Sequence, residues 1–154
     1  MSETKKKMYK RVAAAKAARE LIPRIEAINN DNADYHYYNK IKDVILFGSF
    51  VNTDQDMVHD LDVCVVHDDD RDLLDKFYRQ HRGTFKNLLQ DLFYELYLKQ
   101  RFIKNGKSIY SLHSNVEEGS EIISIATSKE HVYLFRDHKL CDDALGAIDK
   151  LAKA

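Results

Sequence analysis

Leu46-Phe47-Gly48-Ser49, followed after ten residues by Asp60-Leu61-Asp62-Val63-Cys64-Val65-Val66, decides the reading of this chain. Both pieces belong to apolar runs of strand length: Asp43 to Phe47 leads into the Gly-Ser pair, and the second run stays apolar from Val63 to Val66. Strand side chains alternate between faces, so Asp60 and Asp62 project together while Leu61, Val63 and Val65 face the opposite layer. Asp62 is the more telling of the two. A carboxylate inside an otherwise buried run is costly unless it is paired, hydrogen-bonded or bound to metal. Two acids aimed at one spot suit a hard divalent cation, and a glycine before a serine lets backbone N–H groups and a hydroxyl come close to a phosphate.

An apolar residue, Gly-Ser, a spacer and Asp-apolar-Asp-apolar are filled here by Phe47, Gly48, Ser49, Asp60, Leu61, Asp62 and Val63. The pattern resembles the hallmark of the DNA polymerase beta-like nucleotidyltransferase superfamily, especially its minimal single-domain members. The resemblance implies an α/β (α+β) fold, a small mixed sheet flanked by helices, with an N-terminal amphipathic helix. It also implies transfer of a nucleoside monophosphate from an NTP substrate to an acceptor hydroxyl, with release of pyrophosphate. In that reading Asp60 and Asp62 are catalytic and hold Mg²⁺ (or Mn²⁺), while Gly48 and Ser49 bind the outer phosphates. His59, beside Asp60, is a candidate nucleotide contact or a plain loop histidine. Active members usually carry a third carboxylate on a later strand; Glu121, opening an expected strand Ile122 to Ala126, is the candidate, ahead of Glu117 and Glu118 in an expected loop. One departure is plain: many minimal members have a basic residue and another glycine soon after Gly-Ser, whereas this turn continues Phe50-Val51-Asn52-Thr53.

Around the motif, the spacing predicts a helix over residues 4–29 with Val12, Ala15, Ala18, Ile22, Ile25 and Ile28 on its apolar face, kinked or divided at Pro23, the only proline. A polar loop over 29–39 precedes the first strand. His67 to Asp70 offers capping acids for a helix holding Leu73, Leu74 and Phe77, and a strongly periodic helix begins near Thr84. After a turn at Asn105-Gly106, strands are expected over Ile109 to Leu112, Ile122 to Ala126 and Val132 to Phe135. A last helix from about Asp142 to Lys153 presents Leu145, Ile148 and Leu151. This organisation is one domain over 1–154: a helical extension (1–40), a core (41–137) and a C-terminal helix (138–154). Asn52, Asp54 and Asp56 begin the spacing of a calcium loop, but Met57 stands at its glycine and Val63 at its glutamate; Asn52 to His59 reads instead as a mobile connection.

The chain has 154 residues, 24 Lys or Arg against 25 Asp or Glu, and a net charge of −1. The charges are zoned: eight Lys or Arg in 1–30, nine aspartates in 54–75, and eight Lys or Arg in 76–107. An acidic centre between basic arms suits a metal site that draws in triphosphate or nucleic acid, although each basic residue taken singly also fits a solvated helix face. Cys64 and Cys141 have no metal or disulfide spacing and read as reduced thiols of a cytoplasmic protein. No run has the length of a membrane span, so no membrane partner is expected. The absence of an Asp-apolar pattern from Ile109 to Leu112 keeps a second class of function open: a catalytically weak or inactive fold that binds RNA or DNA, with tyrosines such as Tyr35, Tyr37 and Tyr94 stacking on bases, or a protein partner in antitoxin-like fashion. The acceptor is left open among nucleic acid, protein and small molecule, and the assembly between monomer and homodimer.

Overall fold

The two apolar runs on either side of the Gly-Ser pair become the central strands of a five-stranded mixed sheet. The computed structural model of the chain describes residues 8–30, 41–67, 103–104, 107–115 and 118–153. In chain order the elements are β1 (Tyr9–Lys10), α1 (Arg11–Asn30), β2 (Ile41–Phe47), the single turn α2 (Ser49–Asn52), β3 (Met57–Val58), β4 (Leu61–His67), β5 (Ile103–Lys104), β6 (Lys107–Ser108), β7 (Tyr110–Ser114), α3 (Glu121–Ala126), β8 (Val132–Arg136), β9 (Lys139–Leu140) and α4 (Ala144–Lys153). The expected helices near Leu73 and from Thr84, the polar loop at 31–39 and the Asn105-Gly106 turn lie outside the described residues.

The main sheet runs β7-β4-β2-β8-β9. β2 is antiparallel to β4 and β8, while β4 and β7 are parallel. Asp137 and His138 join β8 to β9 with φ of 52° and 70°, the left-handed pair that a tight hairpin turn requires. Alternation along β2 and β4 divides the core in two. Val44, Leu46, Leu61, Val63 and Val65 pack under α1 and α4, and Ile45, Cys64 and Val66 pack under Ile122 and Ala126 of α3. Each fully buried Leu or Ile side chain contributes about 1.5–3 kcal/mol.

The structure departs from the sequence expectations at four places. α1 begins at Arg11 after a short strand, and it continues through Pro23 without division; burial of Leu21, Ile22 and Ile25 around that turn outweighs the roughly 3 kcal/mol that an internal proline costs. Its packed face is alanine-rich (Ala14, Ala15, Ala17, Ala18), while Val12 is 58% exposed. Ile122 to Ala126 is a helix rather than a strand: Gly119 at φ 80° turns the chain, and burial of Ile122 and Ala126 with Ile125 exposed follows the helical i, i+4 period. In α4, Ile148 is buried and Leu151 packs against the core as expected, but Ala144 takes the inward place expected of Leu145, which is 50% exposed.

The fourth difference concerns the connection from α2 to β4, which was expected to be mobile. Met57 and Val58 pair with Tyr9 and Lys10, and the Arg11 guanidinium donates to the carbonyls of Phe50 (2.6 Å), Thr53 (2.8 Å), Gln55 (2.8 Å) and Leu151 (3.2 Å). The Arg11 amide donates to Asp56 O at 2.8 Å, and the guanidinium lies 5.3 Å from the centroid of the Phe50 ring. With Arg11 only 4% exposed, these bonds satisfy a charge that burial would otherwise penalise heavily.

Candidate active site

The site is built where β2 ends and β4 begins. Phe47 is registered with Asp62, so the next residue, Gly48, runs directly past the Asp62 carboxylate. Gly48 adopts φ 80°, ψ −161°, a backbone region open in practice only to glycine. A Cβ added there would collide with Asp62 Oδ2 and lie 2.9 Å from Asp62 Cγ. The glycine is therefore required by its backbone conformation, and any side chain there would also have to push the Asp62 carboxylate aside.

That conformation starts α2. The Gly48 carbonyl accepts from the amides of Val51 (3.0 Å) and Asn52 (2.9 Å), and the Ser49 carbonyl accepts from the Thr53 amide (3.1 Å) and hydroxyl (2.7 Å). Phe50, fully buried, and Val51 anchor the turn in the core. The first N–H groups of such a turn have no partner inside it, and the Ser49 hydroxyl has none among the described residues.

Asp62 is the hub. Oδ2 faces Gly48, while Oδ1 lies 3.6 Å from His113 Nε2 on the parallel neighbour β7. Pairing of Asp62 with Ser111 and of Cys64 with His113 puts all four side chains on one face of the sheet. Ser111 Oγ is 3.2 Å from the same His113 Nε2. On its other side, His113 Nδ1 reaches Glu118 Oε1 and Oε2 at 3.0 and 3.1 Å, and the Phe47 ring packs at 5.5 Å with a 58° tilt. The Asp62 carboxylate, and after it Glu118, hold the His113 pKa above its ordinary value against the opposing effect of burial. Burial, with Glu118 and Asp43 adding to it, pushes the Cys64 thiol up to about 12; both cysteines are free thiols.

Asp60 is partly buried just ahead of β4, and its charge adds to burial in raising the pKa of Tyr9. His59 is exposed between β3 and Asp60. Glu121 is exposed in the first turn of α3, so the strand alternation that singled it out does not exist. The place across from Asp62 is taken by Ser111, with His113 and Glu118 behind it. Ser111 and His113 are not among the sequence candidates, and the only sequence signal for them is polar alternation between Ser111, inside the expected strand Ile109 to Leu112, and His113, one residue past its end.

No three His, Cys, Asp or Glu side chains among the described residues already form a metal cage. Mg²⁺ is characteristically held by one or two carboxylates together with substrate phosphates and waters, and Asp62, with the Gly48 backbone pressed against it, suits that requirement. A groove of about 390 Å³ between Val51, Val132 and Leu151, rimmed by Lys129, His131 and Lys150, contains none of these residues.

Residues 22–133 match the family model of the nucleotidyltransferase domain. No curated protein and no solved structure matches the chain significantly. The matched span contains the Gly48-Ser49 turn, both aspartates and the Ser111, His113 and Glu118 group.

Proposed function

Because the chain belongs to the nucleotidyltransferase domain family, we propose that it moves a nucleoside monophosphate from an NTP to a hydroxyl acceptor with the help of Mg²⁺ or Mn²⁺. The observation that carries this reading is the fit of Gly48 against Asp62. A turn suited to phosphate and a carboxylate suited to a hard cation are held in contact by a residue that tolerates no side chain.

Gly48 and Ser49 bind the outer phosphates through the open N–H groups at the start of α2 and the Ser49 hydroxyl, since backbone donors at a helical turn favour anions. Asp60 and Asp62 hold the cation. When bound, that ion neutralises the triphosphate and activates the acceptor oxygen. Asp62 presents one oxygen to each side of the site, so it ties the phosphate turn to the β7 side, where an acceptor approaches. His113, fixed by Glu118 behind it, flanks the Asp62 carboxylate on the β7 side. Positioning and charge stabilisation carry most of the catalysis in such transfers, which ask little covalent chemistry of the protein.

Isothermal titration of the four NTPs with and without Mg²⁺, on wild type and on Asp60→Asn/Asp62→Asn, tests the proposal. Mg²⁺-dependent binding that is lost in the double variant is the expected result. Failure of wild type to bind any NTP overturns it and favours a fold used to bind nucleic acid or a protein partner.

A further inference from the structure

We propose that Ser111 is itself an acceptor: the protein transfers a nucleoside monophosphate to its own Ser111 hydroxyl. The inference rests on the nucleotidyl-transfer reading above and is carried by the order of strands at the site. β4 lies between β2 and β7, so Asp62 stands between the Gly48-Ser49 turn and Ser111. One Asp62 oxygen is turned to Gly48, and the other shares His113 Nε2 with Ser111 Oγ, at 3.6 and 3.2 Å respectively.

Displacement at a phosphoryl centre is in line, with nucleophile and leaving group on opposite sides. With the outer phosphates on the Gly48-Ser49 side, pyrophosphate departs towards β2, and attack has to come from the β7 side. Ser111 is the hydroxyl registered with Asp62 on that side, one strand spacing of about 4.8 Å away. A serine paired with a histidine that is in turn oriented by a carboxylate is the usual arrangement of a side-chain nucleophile, and His113 with Glu118 at 3.0 Å supplies it.

The step balances without any further reactant. Ser111 Oγ forms a bond to the α-phosphorus while the bond from that phosphorus to the bridging oxygen breaks. Pyrophosphate leaves with the electron pair, and the hydroxyl proton passes to the unprotonated Nε2 of neutral His113, the tautomer whose Nδ1–H is directed at Glu118. The product is a phosphodiester between Ser111 and the nucleoside.

The test incubates the full chain with Mg²⁺ and each NTP and reads intact mass and a peptide map. The expected result is a gain of one nucleoside monophosphate on the peptide containing Ser111, and loss of that gain in Ser111→Ala. A proximity measurement independent of turnover uses Ser111→Cys in a Cys141→Ser background: Mg²⁺ with a non-hydrolysable NTP should protect the new thiol from alkylation. NTP binding by titration separates the two levels of the argument. Binding without a label on Ser111 in the wild-type peptide map, or without protection of the thiol, overturns the self-acceptor proposal alone. Absence of any Mg²⁺-dependent NTP binding overturns the parent reading, and this one with it.

Discussion

Replacing Gly48 by alanine tests the contact on which the site is built. Two costs add: an L-residue at φ 80°, ψ −161° costs roughly 1–3 kcal/mol of backbone strain, and the new methyl overlaps the Asp62 carboxylate, displacing a group already held by His113. Such overpacking typically costs about 1–3 kcal/mol more. For a domain of this size 1 kcal/mol lowers the melting temperature by about 2–4 °C, so Gly48→Ala should melt roughly 4–24 °C below wild type. A double-mutant cycle separates the costs. In Asp62→Ala the collision partner is gone, so adding Gly48→Ala there should cost only the backbone part, and the coupling should be at least about 1 kcal/mol. Thermal melts and urea titrations of the four proteins supply the numbers. Equal costs in both backgrounds would refute the collision, and a cost below about 0.5 kcal/mol in both would refute the backbone argument as well.

Asp62→Asn should weaken Mg²⁺-dependent NTP binding by at least about 100-fold in calorimetric titration, because it removes a proposed ligand rather than a neighbour of one. The same change should lower the His113 pKa, followed by NMR of its ring protons in the metal-free protein. Since the folded value is raised above the ordinary 6.5, the stabilisation from protonated His113 is fully present below about pH 6.5 and is lost as pH rises through the raised value; Asp62→Asn should flatten that part of the profile in urea unfolding. Arg11→Met should cost about 3 kcal/mol or more in urea unfolding by stranding the carbonyls of Phe50, Thr53 and Gln55, and Arg11→Lys should recover only part of the loss because one ammonium cannot span them. Cys64, with no exposed surface and a pKa near 12, should resist alkylation in native protein while Cys141 reacts, as read by peptide mapping after brief iodoacetamide treatment.

The central strands and their motif were legible because everything that defines them is local. Gly48 ends one apolar run, Asp62 interrupts another, and alternation fixes which side each residue faces. What lay beyond reach depends on pairing across long stretches of chain. Ser111 and His113 acquire meaning only when β7 docks parallel to β4, which nothing within Tyr110 to Ser114 announces. Glu121 was misplaced because Glu-Ile-Ile-Ser-Ile looks strand-like by composition, whereas the turn at Gly119 and the burial of Ile122 and Ala126 select a helix. Arg11 reads as one more charge in a basic segment until the carbonyls of Phe50 in α2, Thr53 and Gln55 in the loop after it, and Leu151 in α4 surround it.

The pairing of β7 with β4 also bears on fidelity of folding. Strand side chains alternate with period two, so a slip of one residue would present Leu112 to Asp62 and turn Ser111 and His113 into the opposite layer. Such a product would remain compact, with a sheet of five strands, yet its central carboxylate would face an aliphatic neighbour. Two bonds oppose the slip: the Leu61 amide donates to Ile109 O at 2.8 Å, and the buried Tyr110 hydroxyl donates to Ala17 O at 2.8 Å across to α1. Tyr110 thus acts as an alignment key for β7. In Tyr110→Phe molecules, mis-registered chains would be caught as a fraction that passes every test of compactness and has no Asp62–His113 contact.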